Sequence, residues 1–581
     1  MKMSKPYKGF EPKWIKEPAD PLSYRSIFRW GDPEFVKYPK ESLYKLMKST
    51  FNMTDDDFKN YAGDVGFDKV TLHSPSKMGK AHIDAFRDIV GYQNVSVDDY
   101  DRLSVAYGKT AYDLFRIRER KFDSLPDVVL YPSKSEEIEK IVDYCVKNSI
   151  PLYVYGGGSS VTRGVEPVKG GVSLDMRRNF NKVIEFNEID QTITVQAGMS
   201  GPDLEKTLQN APALFGAKRQ YTCGHFPQSF EYSSVGGWVV TRGAGQNSTY
   251  YGTIADIVLS QKYATPRGRI VTSHYPREAT GPNLNQIMMG GEGTFGVLTE
   301  VTLKVFRWMP QNRHYFSYMF KDWQTAMDAG REMMQCECGY SSVFRLSDAE
   351  ETSLMLKLYN VDDTPLEPLL NMKGYKDMER CLFLGFTDGE KGFSDNVAKN
   401  LAKIAKSFGG MSLTAFVAKS WEKGRFNDPY LRDTLMDFGI VTDTLECTVN
   451  WSNMAQVHDD VRKVCHALPN TIVTTHMSHC YPQGANLYFI FITRMNDSEE
   501  FKRYHTTILD AIQKSGAAIS HHHGIGKMFA PWLEGSLGRT EYGAVRALKD
   551  YFDPTYMMNP GGTIGLDLKE DEKKFLRDDI K

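Results

Sequence analysis

From Leu125 onward, short apolar runs alternate with amphipathic stretches. Residues 127–130, Asp-Val-Val-Leu, read as a strand; Pro132 follows, and Ser133 with Glu136 three residues on reads as a capping box. The next stretch places Ile138, Ile141, Val142 and Cys145 at i, i+3, i+4 and i+7, the single buried stripe of a helix. Pro151 then opens a strand through Tyr153, Val154 and Tyr155 that runs straight into three glycines and two serines. Strand, helix and strand make a βαβ unit, and the glycines leave the carboxyl end of its second strand, where open α/β sheets bind ligands. Further strands are expected at 171–174, 183–186, 192–195 and 301–305, with a polar hairpin over 187–190. A helix is expected to start at Pro202, with Leu204 and Leu208 on one face. Residues 1–122 show only short helical patterns, such as 42–47, and no recognisable chemistry.

The loop Gly156-Gly157-Gly158-Ser159-Ser160 suits an anion, because glycines allow positive φ and bring N–H groups close to it. Plain turn chemistry is the bland alternative. Neither G-x-G-x-x-G opening a helix nor G-x-x-x-x-G-K-[ST] occurs, so a Rossmann or P-loop reading has no support. Two more stretches are crowded with small residues. Residues 223–245 contain Ser233, Ser234, Gly236, Gly237, Gly243 and Gly245, and residues 290–297 read Gly-Gly-Glu-Gly-Thr-Phe-Gly-Val. Both allow a backbone to lie against a flat ligand.

A chain of 581 residues with 41% hydrophobic content divides into roughly two to four domains. Basic and acidic residues nearly cancel, 71 against 73, without a basic stripe, which argues against nucleic acid as a partner. The eight cysteines lack C-x-x-C spacing and fit a reducing compartment rather than a zinc or iron–sulfur site. Met1 to Lys8 form no apolar signal region, no long apolar run follows, and Asp578 to Lys581 are not a peroxisomal address. A cytoplasmic protein is expected, with peripheral membrane contact left open.

The three glycine-rich stretches, in this order between Pro126 and Phe306, resemble the FAD-binding domain of the vanillyl-alcohol oxidase and p-cresol methylhydroxylase family. That resemblance implies an α+β fold: an FAD-binding domain of two α/β subdomains, an α+β cap domain for substrate and an N-terminal extension. The implied boundaries are 1–122 for a helical extension, 123–307 for FAD, 308–515 for the cap, and 516–581 for a segment returning to the flavin. It implies that Val154, Tyr155, Gly156, Gly157, Gly158, Ser159 and Ser160 cradle the FAD pyrophosphate. His225, Gln228, Ser229, Ser233, Ser234, Thr241, Arg242, Gly243 and Ala244 would contact the remainder, together with Gly291, Glu292, Gly293, Thr294, Phe295, Gly296 and Val297. The first loop has neither His nor Cys, so FAD is expected to be non-covalent; His225 and Cys223 keep a covalent link open.

Within that family the chain is similar to the alkylglycerone phosphate synthase branch, which forms the ether bond of ether lipids. The phrases that carry this are Gly224-His225 with Pro227 and Ser229, Ser234 to Trp238, Phe344-Arg345-Leu346, Leu431-Arg432-Asp433, and Ser520-His521-His522-His523-Gly524. Three adjacent histidines suit transfer of a carbon-bound proton, or a metal. In an extended backbone His521 and His523 would share one face and His522 would point away. Metal-using 2-hydroxy-acid dehydrogenases of the superfamily carry histidines where this chain has Tyr481 and Tyr488, and an acid where it has His522, so a metal site is disfavoured. By the resemblance Tyr488, His521, His522 and His523 would move protons beside the flavin, while Arg345 and Arg432 would hold phosphate and carboxylate. Eukaryotic members have acidic residues at the positions of Phe226 and Gln228 and an arginine at that of His476, which bears on the polar substrate.

The expected activity exchanges the acyl group of acyl-dihydroxyacetone phosphate for a fatty alcohol, in a homodimer. The alternative is an FAD-dependent dehydrogenase of a 2-hydroxy acid that passes electrons to a quinone or protein acceptor.

Overall fold

The computed structural model describes residues 19–31, 40–61 and 63–566. The sequence around Met1 and the final Asp578 to Lys581 lie outside the described residues.

Three sheets organise the chain. The first comprises β1 (Val95–Ser96), β2 (Val128–Leu130), β3 (Leu152–Tyr155) and β4 (Val172–Asp175) in the order β1-β2-β4-β3. Strands β2 and β3 both pair in parallel with β4, which lies between them, so the expected βαβ unit spans one inserted strand. Its helix, α1 (Ser135–Lys147), buries Ile138, Ile141, Val142 and Cys145 as the spacing predicts. The cap differs from expectation. Glu137, not Glu136, reaches back to accept from the N–H of Ser133 at 2.7 Å and of Lys134 at 3.2 Å, because the helix begins two residues beyond Ser133.

The second sheet is antiparallel and contains β5 (Val183–Asn187), β6 (Thr192–Gln196), β7 (Val258–Thr265), β8 (Gly268–Val271) and β9 (Val297–Lys304), ordered β5-β6-β9-β7-β8. Strand β9 starts four residues earlier than its alternation predicts, since it is central and pairs on both edges. Helix α2 (Gly201–Gln209), capped by Ser200, buries Leu204 and Leu208, and α3 (Val235–Val240) is capped by Ser234.

The third sheet has seven antiparallel strands: β10 (His314–Phe320), β11 (Val343–Ser347), β12 (Cys381–Thr387), β13 (Met411–Ser412), β14 (Ile440–Asn450), β15 (Ile472–Tyr481) and β16 (Gly484–Arg494). Their order is β13-β10-β12-β11-β15-β16-β14. Helices α4 (Leu366–Met372), α5 (Ala415–Gly424), α6 (Asp428–Met436) and α7 (Ser498–Lys514) lie in the same part of the chain. One buried cluster joins the first two sheets and another packs the third, so the site sits where two separately stabilised bodies meet.

Candidate active site

Register in the third sheet decides which side chains face the cavity. Glu446 of β14 and His476 of β15 are the cross-strand partners of Tyr488 of β16, one on either side, so the three share a face. Ser347 pairs with His476, and Arg345, two residues away on β11, falls on that face too. That face closes a cavity of about 340 Å³ whose other wall is made by the glycine loop, the 225–246 segment and Glu292, Gly293, Gly296 and Leu298.

The loop side fits a phosphate-bearing cofactor. None of the backbone N–H groups of Gly156 to Ser160 donates to a protein acceptor among the described residues. Gly158 has φ of 69°, and a Cβ on Gly157 would overlap the carbonyl oxygen of Tyr232, so the loop can lie this close to the 232–234 segment only without side chains. His225 is fully buried on the cavity wall with no partner at either ring nitrogen, its ring 4.7 Å from Trp238. Burial lowers its pKa to about 3, which keeps it neutral.

Most residues expected at the flavin line this cavity, including Val154, Gln228, Ser229, Ser233, Ser234, Thr241, Gly243 and Ala244. Several lie behind it. Tyr155 packs with Val105, Val129 and Tyr131; Arg242 turns outward to the carbonyl of Gln286 at 3.1 Å. Gly291, Thr294, Phe295 and Val297 of the third loop do not line the cavity, and Phe295 packs against Phe552.

The three histidines do not form an extended strand, and the expected alternation fails. Their backbone turns around one carboxylate: Glu446, fully buried, accepts from the N–H of His521, His522 and His523 at 2.8–3.0 Å. Ser520 Oγ and Asn486 Nδ2 donate to it as well, at 2.9 and 2.8 Å. Wrapping the anion puts His522 and His523 on the cavity wall and turns His521 away, its Nε2 to the Tyr481 hydroxyl at 2.7 Å. Nδ1 of His521 lies 3.0 Å from Nδ1 of His522. Burial lowers the pKa of all three imidazoles, and like-charge neighbours lower His522 further. Glu446, His521 and His522 are close enough to share a metal ion. The five donors already bonded to the carboxylate use up its acceptor capacity, so its chemistry is that of an anchor for the turn.

Tyr488 donates to Thr444 Oγ1 at 3.1 Å and stacks on His476 at 4.9 Å, with His523 edge-on at 5.5 Å. Burial pushes its pKa up to about 12, so it is a phenol at neutral pH. Arg345 Nη2 donates to Glu351 at 2.6 Å; burial alone would raise the Glu351 pKa, but Arg345 and His476 hold it down at about 2. Arg432 donates to the carbonyl of Lys109 at 2.6 Å and to Asp433 at 3.2 Å. Tyr488, His522, His523, Arg345 and Arg432 therefore line one cavity, and His521 stands one layer behind.

Three contributors carry no signal in the sequence pattern. Glu446 is one. His479 is another, set in left-handed backbone (φ 48°) at a bulge of β15, with Nδ1 2.7 Å from Ser248 Oγ and its ring stacked on His521. Arg425, between α5 and α6, is the third.

Residues 126–274 match the FAD binding domain family, and residues 309–563 match the C-terminal domain of FAD linked oxidases. The chain belongs to the FAD-linked oxidase family, of the vanillyl-alcohol oxidase and p-cresol methylhydroxylase type. As a member of this flavoprotein family it is an FAD enzyme, and the loops just described face one cavity. The chain is similar to an alkyldihydroxyacetonephosphate synthase of Dictyostelium discoideum, 29% identical over 94% of this chain and 91% of that protein. It superposes on a solved alkyldihydroxyacetonephosphate synthase with a TM-score of 0.78 and 25% identity, covering 92% of this chain and 99% of the other. A glycolate oxidase subunit of Bacillus subtilis is more distant, at 22% identity over 83% of this chain and 96% of that protein.

Proposed function

We propose that this flavoenzyme exchanges the acyl group of an acyl-dihydroxyacetone phosphate for a long-chain fatty alcohol, releasing the fatty acid and forming an ether. The reading is carried by one juxtaposition: Tyr488, His522 and His523 share a cavity with the N–H-rich glycine loop, in a chain similar end to end to synthases of that name. Bound oxidised FAD supplies an electrophile there. Gly156 to Ser160, Gln228 to Ser234 and the 291–297 loop would hold it, non-covalently.

The protein's own groups handle protons and charge. His522 and His523 are neutral and free to accept a proton from the carbon beside the ketone, and Tyr488 keeps its proton to donate at an oxygen or carbon. Glu446 fixes the turn that aims the imidazoles, and its negative charge stabilises either ring once protonated. Arg345 and Arg432 offer forked donors to phosphate and to the departing carboxylate. The exchange is redox-neutral overall: the alcohol oxygen bonds to carbon, the acyloxy group leaves, and one proton is released.

The expected boundaries at 122, 307 and 515 are kept as the working domain map, with β1 of the N-terminal extension pairing with β2 across the first of them. We place the enzyme in the cytoplasm as a homodimer at a membrane surface. Among the described residues no helix is long and apolar enough to cross a membrane. Exposed Leu366, Leu369 and Met372 on α4 and Phe416 on α5 support a peripheral contact, since α5 also brings Trp421 to the cavity. The test is incorporation of labelled fatty alcohol into an ether by the purified holoprotein, set against anaerobic reduction of its flavin by 2-hydroxy acids; reduction without ether formation would reject the proposal.

A further inference from the structure

Three guanidinium groups line the cavity, those of Arg345, Arg425 and Arg432. Two are neutralised by the protein. Arg345 pairs with Glu351 at 2.6 Å and Arg432 with Asp433 at 3.2 Å. Arg425 is only 8% exposed, yet among the described residues no carboxylate oxygen comes within 4.0 Å of it. Its side chain makes one hydrogen bond, from Nη1 to Asn247 Oδ1 at 2.9 Å, and its charged carbon stands 5.0 and 4.8 Å from the ring centres of Phe226 and Phe426.

The other polar neighbours do not answer this charge. Gln228 Nε2 donates to the backbone carbonyl of Arg425 at 2.7 Å, and Gln246 donates to the same oxygen at 3.5 Å. The acids nearest in electrostatic effect, Glu422 and Asp388, are both clamped by Arg313. Burial lowers the Arg425 pKa to about 10, which still leaves it charged at neutrality. A buried cation without a carboxylate is costly, and aromatic faces compensate it only in part. Its remaining N–H groups have no protein acceptor among the described residues, so an anion in the cavity is the missing partner.

We infer that Arg425 is the recognition residue for the phosphate of the substrate. The inference rests on the reading above that the ligand is a phosphorylated ketone. A cofactor pyrophosphate has the same chemistry, but the free N–H groups suited to it belong to the glycine loop of the first sheet. Arg425 instead lies in the short connection between α5 and α6, the helices that bring Trp421 and Arg432 to the cavity. Arg345 and Arg432, each with its own acid, then orient the ligand more than they neutralise it.

The test uses holoenzyme and measures equilibrium binding of dihydroxyacetone phosphate, inorganic phosphate and neutral dihydroxyacetone to wild type, Arg425→Gln and Arg425→Lys. Arg425→Gln should weaken both phosphates roughly ten-fold or more, leave dihydroxyacetone unchanged and keep the flavin content of wild type, and Arg425→Lys should recover part of the loss. Equal weakening of all three ligands, or none, overturns the inference. Loss of flavin in Arg425→Gln overturns it as well, by giving the residue to the cofactor. Should wild type make the ether while Arg425→Gln binds phosphates normally, this inference alone fails. Should wild type bind neither phosphate, the proposed function fails with it.

Discussion

The Tyr481 hydroxyl lies 2.7 Å from Nε2 of His521, and His521 in turn bonds through Nδ1 to Nδ1 of His522 on the cavity wall. With one proton per imidazole, the directions of these bonds are linked. Glu446 lies 3.7 Å from His522 Nδ1 and favours a proton there, which leaves His522 Nε2 bare as the base. A proton taken at Nε2 can then be relayed, the Nδ1 proton of His522 moving to His521 and the Nε2 proton of His521 moving to the Tyr481 oxygen, as the phenol passes its own proton on to water. Tyr481→Phe keeps the ring and cuts this relay. It should lower kcat about ten-fold or more with KM and flavin absorbance unchanged, and it should alter the solvent deuterium isotope effect. An unchanged kcat would remove Tyr481 from proton transfer.

His523→Ala should retain FAD and lose the exchange by about 10²-fold or more, the usual range for a group that moves a proton in the reaction. Full activity in this flavin-loaded variant would take His523 out of the chemistry. The check is a product assay normalised to flavin content.

The acid limb of activity follows from burial. The folded pKa values of His522 and His523 lie below the ordinary imidazole value of about 6.5, so both rings remain neutral bases as pH falls through that value. The acid-side midpoint of a kcat profile should therefore fall below about 6.5. A midpoint at or above it would contradict the assignment of these rings as the bases.

Glu446→Gln replaces the anion at the centre of the histidine turn. Hydrogen bonds to a charged acceptor contribute about 1.5–3 kcal/mol, and the variant should lose about that much stability at neutral pH, read as a lower urea midpoint. Burial raises the folded pKa of Glu446, but His523, His521 and the backbone N–H groups together lower it below the ordinary value. Its contribution is complete above the unfolded pKa of about 4.3 and is lost as pH falls through the folded value. The variant should show a correspondingly flatter fall in stability over that acid range.

Gly157→Ala places a methyl group against the Tyr232 carbonyl and must push the glycine loop out of place. Flavin absorbance per mole of purified protein should drop several-fold, with the fold retained by circular dichroism.

Local signals made the cofactor half of the molecule legible in the sequence. Glycine runs after strands, the Ile138 to Cys145 stripe and the Leu204, Leu208 pair depend on neighbours a few residues away, and they appear where the pattern puts them. Glu137 replacing Glu136 at the cap is a one-residue slip of helix start. The catalytic half depends on register between distant strands. Glu446 meets the histidine turn only because Ala518 bridges to Thr448 and the Glu446–Tyr488 pairing sets the face. The alternation assumed for His521 to His523 failed for that reason: a buried carboxylate, not a pleated ladder, determines their directions. His479 reaches the same cluster through a bulge, which no period of two reveals. Arg425 looks like any surface arginine until its burial and lack of a carboxylate are known.

The most direct measurement follows the oxygen atoms in one turnover with a fatty alcohol carrying heavy oxygen. Exchange at the dihydroxyacetone carbon predicts that the ether oxygen carries the full label, that the released fatty acid keeps both ester oxygens, and that the flavin ends oxidised. An unlabelled product, or a flavin left reduced, would contradict it.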